Sequence, residues 1–94
     1  MMELASPFVR FYEAVVYDVR IGATHISVYM ALLQQWNLKG GKNTFYISRS
    51  EIMSTAKINS RQTYNKCMND LKAYGYISYE PSKNHYRKSE VQLK

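Results

Sequence analysis

The sequence predicts an α+β fold that is mostly helical. Apolar residues recur at intervals of three and four along residues 24–37 and 60–74, as on one face of a helix. Residues 76–93 instead alternate apolar and polar positions on both sides of a turn, as in a β-hairpin. The chain has 94 residues, of which 46% are hydrophobic, which is the size and apolar content of one domain. We therefore expect residues 1–94 to form a single domain.

The first helix is predicted from Pro7, which suits the first turn of a helix, to about Asp18. Its wide apolar stripe consists of Phe8, Phe11, Tyr12, Val15 and Val16. Residues 14–17 are also compatible with a short strand. Because so apolar a helix needs cover on more than one side, residues 1–20 either cap the domain's own core or join two copies of the chain.

The second helix is predicted to begin at Thr24, a good capping residue, and to run to about Asn37, before Gly40 and Gly41. Its expected apolar face consists of Ile26, Tyr29, Met30, Leu33 and Trp36. Residues 44–47 have the composition of a short strand that follows this helix.

The third helix has the clearest start signal in the chain. Ser48 and Glu51 have the spacing of a capping box, and Ile47 and Ile52 flank it as a hydrophobic staple. This helix is short, because its inward residues end at Ala56.

The fourth helix begins at Asn59 or Ser60 and ends at Gly75, which suits a left-handed cap. Its apolar face consists of Tyr64, Cys67, Met68, Leu71 and Tyr74. A hairpin follows, with strands at residues 76–80 and 86–93 and a turn at residues 81–85.

A short capped helix, a turn, a longer capped helix and a hairpin follow the winged helix-turn-helix plan. In that plan the longer helix lays its outer face in the major groove of DNA. That face holds Arg, Gln and Asn side chains, which match the edges of guanine and adenine. We expect Arg61, Gln62 and Asn65 to read bases, with Lys66 and Asn69 at the phosphate border. The alternative, an ordinary solvated helix surface, is disfavoured because no acid precedes Asp70 on this helix.

The predicted hairpin supplies a second polar and basic cluster, which we interpret as a DNA-contacting wing. Cations at such a tip hold phosphates without reading sequence. The wing residues are Lys83, Asn84, His85, Arg87 and Lys88. A weaker signal assigns DNA backbone contacts to Arg49, Ser50 and Lys57. The alternative for the hairpin is a solvated turn.

Two stretches of the chain resemble the winged-helix family of bacterial regulators. They are residues 45–52 (FYISRSEI) and residues 64–77 (YNKCMNDLKAYGYI). They also resemble small regulatory proteins of mobile elements and the N-terminal domains of plasmid and phage replication initiators. The resemblance covers residues 24–93, the expected winged-helix core. It implies a regulator or accessory protein that binds specific double-stranded DNA, while residues 1–20 form an extra helix of the kind that builds homodimers in this family.

Charge is distributed unevenly along the chain. Residues 1–38 carry two basic and three acidic side chains, whereas residues 39–94 carry eleven basic and four acidic ones. A basic half suits a polyanion, and a near-neutral half suits another partner. Docking on an acidic protein is the main alternative to DNA. RNA is less favoured, because no aromatic-studded sheet face or glycine-rich clamp is present.

Catalysis, metal binding and membrane insertion have little support in the sequence. Cys67 is the single cysteine, and His25 and His85 are the two histidines, without carboxylates at a suggestive spacing. No apolar run approaches the roughly 20 residues that span a bilayer, and the N-terminus has no signal-peptide pattern. We therefore expect a cytoplasmic protein that is not an enzyme, with no cofactor, metal or small-molecule substrate.

Overall fold

The structure, a computed structural model, describes residues 2–82 and 88–94, with side chains from residue 7 onward. Within these ranges it has four helices, α1 (Met2–Val15), α2 (Ala23–Leu38), α3 (Arg49–Ala56) and α4 (Arg61–Ala73). The same ranges contain three strands, β1 (Phe45–Ile47), β2 (Ile77–Glu80) and β3 (Ser89–Leu93). The prediction of a mostly helical α+β fold is confirmed.

The three strands form an antiparallel sheet in the order β1-β3-β2. Val91 of β3 pairs with Phe45 on one side and with Tyr79 on the other. Because side chains alternate between the two faces of a sheet, Phe45, Tyr79 and Val91 all point into the core, while Tyr46 and Glu90 point outward. The alternation predicted for the hairpin therefore appears in both of its strands.

The central element of the core is α2, which contacts α1, α3, α4 and β1. Its buried residues are Val28, Tyr29, Ala31, Leu32 and Trp36. The predicted inward face was partly wrong, because Met30 is 37% exposed and Ile26 and Leu33 are only half-buried. Since α2 is apolar on most of its surface, spacing alone did not show which side the neighbouring elements would cover.

The start of α2 also differs from the prediction. The capping residue is Gly22, not Thr24, which is exposed. The Gly22 N–H donates to Nδ1 of His25 at 3.0 Å. His25 occupies the third helical position, where the acceptor of a reciprocal cap normally lies. A hydrogen bond between its Nε2 and Asp70 holds the ring there.

The first helix begins earlier and ends earlier than predicted. Pro7 is the sixth residue of α1 rather than a first-turn residue. The chain continues after Val15 in tighter turns, with the N–H groups of Tyr17 and Asp18 donating to carbonyls three residues back. The alternative strand at residues 14–17 was wrong, because helix and turn occupy those positions.

The starts of α3 and α4 follow the sequence signals, although only the Ser48 half of the predicted capping box is formed at α3. Ser48 Oγ accepts a hydrogen bond from the Glu51 N–H, and Ile47 and Ile52 beside it are buried. Ser60, rather than Asn59, caps α4 by accepting from the Thr63 N–H at 3.2 Å. These two helix starts rest on neighbours in sequence, which is why the sequence predicted them.

The carboxyl end of α4 also has the predicted form. Gly75 adopts a φ of 87°, in the left-handed region. The following Tyr76 N–H donates to the Leu71 carbonyl at 2.9 Å, and the Gly75 N–H donates to the Lys72 carbonyl. These two bonds define a Schellman cap, which ends α4 and directs the chain into β2.

Candidate nucleic-acid interface

One face of α4 is buried and the opposite face is exposed, as the periodicity of the helix predicts. Tyr64, Cys67, Met68 and Leu71 are at most 4% exposed. The structure brings all five predicted residues to the exposed face: Arg61, Gln62, Asn65, Lys66 and Asn69. The first two turns of α4 therefore present one guanidinium and two amides to solvent.

The three predicted base readers are free of partners within the described part of the chain. Among the described residues, the side chains of Arg61, Gln62 and Asn65 form no hydrogen bond or ion pair. Arg61 and Asn65 are one turn apart and so lie on the same edge of the face. Their donors and acceptors are thus available to an external partner without breaking a contact of the fold.

Lys66 differs from these residues because its ammonium group already has a partner. Its Nζ donates to Asp70 Oδ2 at 2.8 Å, one turn later on α4. The pair is uneven, since the Lys66 side chain is 72% exposed and that of Asp70 only 18%. The hydrogen bond from Lys66, followed by one from His25, lowers the pKa of Asp70, and the same bond raises the pKa of Lys66.

His25 ties Asp70 to the start of α2. Its Nε2 lies 2.8 Å from the same Asp70 oxygen that accepts from Lys66. Because Nδ1 of His25 accepts the Gly22 N–H, the ring has the neutral tautomer with its proton on Nε2, and Nε2 is the donor to Asp70. Asp70 is therefore held from two sides, by an exposed lysine and by a half-buried histidine.

A second polar cluster fixes the end of α4 to the connection between α1 and α2. Arg20 donates through Nε and Nη2 to the two carboxylate oxygens of Asp18, each at 2.8 Å. The Tyr76 hydroxyl donates to Asp18 Oδ2 at 2.7 Å, and the Arg20 guanidinium lies 4.0 Å from the centre of the Tyr74 ring. The hydrogen bonds from Arg20 and Tyr76 hold the pKa of Asp18 well below its usual range.

No sequence pattern predicted this cluster, because 58 residues separate Asp18 from Tyr76. Burial, together with the bond to Asp18, raises the pKa of the Tyr76 hydroxyl to about 12. The polar contacts that join α4 to α2 and to the segment before α2 therefore lie at Asp70 and just beyond the carboxyl end of α4.

The weaker backbone candidates lie at the two ends of α3. Arg49 and Ser50 are exposed in its first turn, where the Ser50 hydroxyl lies 2.9 Å from Ser48 Oγ. Lys57 is exposed at the other end and has a φ of 62°, the one non-glycine residue among those described with a positive φ. Ser27 Oγ donates to the Ala56 carbonyl at 2.6 Å, which ties this end of α3 to α2.

Four of the five predicted wing residues, Lys83, Asn84, His85 and Arg87, lie outside the described residues. Lys88 is described, and it is exposed directly before β3. The strands around them pair as a hairpin with Glu80 opposite Glu90 on the outer face of the sheet. Because both glutamates are exposed, the basic surface does not extend over this face of the sheet.

Lys72 is a further cation of this face that was not predicted from the sequence. It is exposed on α4, three residues after Asn69 and seven after Asn65, so it extends the edge that holds Arg61. The same helical spacing that selected Asn65 and Asn69 would have found it. Lys72 adds a cation to the last turn of the exposed face, where it also complements the helix dipole.

The exposed apolar side chains concentrate in the first 38 residues. Phe11 is 2% exposed and stacks on Tyr29, so this part of α1 covers the domain's own core. Among residues with described side chains, seven of the eight large exposed hydrophobics precede Lys39; they are Phe8, Val9, Val16, Tyr17, Val19, Met30 and Leu38. The apolar surface and the basic surface are therefore carried by different parts of the sequence.

The described part of the chain has neither a metal-binding cluster nor a membrane-spanning helix. No group of three His, Cys, Asp or Glu side chains there is arranged to hold a metal ion. No helix in the same ranges has the length and hydropathy to cross a membrane.

Comparison of the chain with protein-family models, curated proteins and solved structures gives no match.

Proposed function

We propose that this chain is a winged helix-turn-helix protein that binds specific sequences of double-stranded DNA through the exposed face of α4. The observation that carries the proposal is the exposure of Arg61, Gln62 and Asn65 and their lack of hydrogen-bond partners among the described residues. They share an exposed helix face, and among the described residues their side chains have no partner. Arg pairs with guanine acceptors and Asn or Gln pairs with adenine in the major groove.

The topology supports this proposal. The elements after α1 follow the order helix, strand, helix, helix and hairpin, and the sheet order is β1-β3-β2. In a winged helix, α3 and α4 are the helix-turn-helix pair and the hairpin of β2 and β3 is the wing. Contacts of α2 with both α3 and α4 brace the pair from behind.

The charge distribution supports the same assignment of surfaces. The excess of basic side chains lies in residues 39–94, which include α4 and the hairpin. Asn69 and Lys72 border the base-reading residues and contact phosphates, whereas the ammonium group of Lys66 is paired with Asp70. Residues 83–88 of the wing, with Arg49, Ser50 and Lys57 at the ends of α3, hold the flanking phosphates and position α4.

We further propose that a second copy of the chain covers the exposed stripe on α1, so that the protein binds DNA as a dimer. The stripe consists of exposed Phe8, half-buried Tyr12 and exposed Val16, which lies one residue beyond α1, and the rings of Phe8 and Tyr12 meet edge to face at 5.0 Å. Two copies meeting here avoid the repulsion between their basic halves. A two-fold dimer suits two half-sites about one helical turn apart, as a transcriptional regulator or accessory protein of a mobile element requires.

The DNA proposal is tested by fluorescence anisotropy with a random duplex, titrated from about 50 to about 200 mM salt. Binding should weaken steeply with salt, and Arg61→Ala, which removes a cation from the face that meets the duplex, should weaken binding and reduce the slope of log K against log salt by at most about 0.9. Lys42→Ala, an equal loss of charge on an exposed loop, is the control and should change the slope little. Absence of binding at low salt, or equal effects of the two variants, would refute the assignment of α4.

The dimer proposal is tested by sedimentation of the wild type and of Val16→Glu. Val16 is 70% exposed, so the change leaves the core intact and places a charge on the stripe. Leu38→Glu is the matched control, because Leu38 is 67% exposed at the far end of α2. We expect only Val16→Glu to be monomeric, and a wild type that is already monomeric in the presence of DNA would contradict the proposal.

A further inference from the structure

We propose that Asp70 limits binding to non-specific DNA by holding Lys66 away from the phosphates. The inference rests on the proposed function, since it assigns a positioning role to a residue beside the DNA-binding face of α4. The key observation is that one oxygen of Asp70 accepts hydrogen bonds from both Lys66 Nζ and His25 Nε2, each at 2.8 Å.

The second of these bonds makes this pair different from an ordinary surface ion pair. Isolated pairs four residues apart on a helix contribute little, because both side chains must be ordered to form them. Here His25 already orders the carboxylate, and the Gly22 N–H orders His25. Only the lysine loses freedom when the pair forms, so Lys66 returns to Asp70 readily.

The position of Asp70 determines what this pairing means for DNA. Asp70 lies one turn from Lys66, on the edge of α4 that faces α2, while Arg61 and Asn65 lie on the opposite edge. Lys66 is therefore drawn away from the edge that reads bases. If Lys66 bound a phosphate, it would have to break its ion pair with Asp70, and the Asp70 carboxylate would lose its neighbouring cation.

Non-specific affinity depends on the number of phosphates neutralised, and each contact contributes about 0.9 to the salt slope. A lysine that is already neutralised by Asp70 adds little to that number. Asp70 thus lowers the affinity for random sequence, while the base contacts of Arg61, Gln62 and Asn65 remain available at a cognate site. The ratio between specific and non-specific binding rises as a result.

The experiment compares the wild type, Asp70→Asn, Lys66→Met and the double variant on a random duplex, again across salt. The amide that Asp70→Asn introduces keeps an oxygen that accepts from His25 Nε2, so the anchor to α2 is retained while the charge is lost. We expect Asp70→Asn to steepen the salt slope by about 0.9. If the variant and the wild type bind equally at about 1 M salt, this change makes the variant bind roughly fivefold more tightly than the wild type at about 0.15 M salt. Lys66→Met should bind like the wild type, and the double variant should match Lys66→Met.

Two comparisons separate this mechanism from a simple change of net charge. Glu13→Gln removes the same charge from the exposed surface of α1, away from α4 and the hairpin, and should leave the slope nearly unchanged. Equal steepening by Glu13→Gln, or steepening by Asp70→Asn in a chain that already carries Lys66→Met, would overturn the proposal. If the wild type and all variants fail to bind duplex DNA at low salt, the proposed function itself fails, which is a distinguishable result.

A second measurement does not depend on how Asp70→Asn folds. The pKa of the Asp70 carboxyl, followed by NMR, should be higher in Lys66→Met than in the wild type, because the largest cause of its lowered pKa is the bond from Lys66. An unchanged pKa would mean that the pair does not form in solution, and the inference would be wrong.

Discussion

Replacing Lys57 with glycine should stabilise the protein. Lys57 ends α3 in the left-handed region, with a φ of 62° and a ψ of 43°. The Ile58 N–H donates to the Met53 carbonyl at 2.9 Å and the Lys57 N–H donates to the Ser54 carbonyl, the two bonds of a Schellman cap. This cap usually contains glycine, as Gly75 does at the end of α4. The lysine side chain therefore occupies a backbone conformation that disfavours it.

The size of the effect follows from two opposing contributions. A residue with a Cβ atom in the left-handed region costs about 1–2 kcal/mol, and glycine removes that cost. Glycine also makes the unfolded chain more flexible, which offsets about 0.4–1 kcal/mol. The free energy of unfolding should rise by about 0.5–1 kcal/mol, and the melting temperature of a domain of this size by about 4 °C.

Urea and thermal unfolding, followed by circular dichroism, measure this change. Lys57→Ala is the matched control, because alanine loses the same charge and keeps the Cβ atom, so its stability should stay within about 0.5 kcal/mol of the wild type. Equal stabilisation by both variants would trace the effect to the charge rather than to the backbone. Destabilisation by glycine would refute the strain argument. If Lys57 contacts phosphate, both variants should weaken DNA binding equally, whatever their stability.

Three further substitutions test other parts of the structure. Tyr29→Phe should raise the free energy of unfolding by about 1 kcal/mol in a urea titration, because the Tyr29 hydroxyl is buried without a partner among the described residues. Asn43→Ala should lower it by about 1–2 kcal/mol, since the Asn43 amide exchanges two hydrogen bonds with the backbone of Leu93. Asp18→Asn should flatten the loss of stability in acid: the pKa of Asp18 is lowered in the folded state, so its contribution is complete above about pH 4 and declines as the pH falls further.

The parts of the fold that the sequence predicted are those with local causes. Ser48 and Ser60 cap helices through amides three residues away, and Gly75 supplies a conformation that other residues disfavour. The start of α2 was mispredicted because its cap depends on His25, and His25 is oriented by Asp70 at a separation of 45 residues. Thr24 is a residue type that often caps helices, but the contact between His25 and Asp70 places the helix start at Gly22 instead.

The candidate site divides in the same way. Helical spacing was sufficient to place Arg61 and Asn65 on the exposed face, and a separation of four residues allowed the Lys66–Asp70 pair. The two contacts that anchor α4, from His25 and from Asp18, come from sequence more than 40 residues away. Such contacts are set by how helices pack and have no periodic signal.

These contacts also separate the stability of α4 from its proposed chemistry. Polar anchors lie at Asp70 and Tyr76, near and beyond the end of the helix, and its first turns are held by the burial of Tyr64 and by the Ser60 cap. Arg61 and Asn65 stabilise nothing else among the described residues, so their replacement costs the fold little. The residues at these two positions can therefore vary while the position of the helix is maintained, as the proposed base-reading role of this face requires.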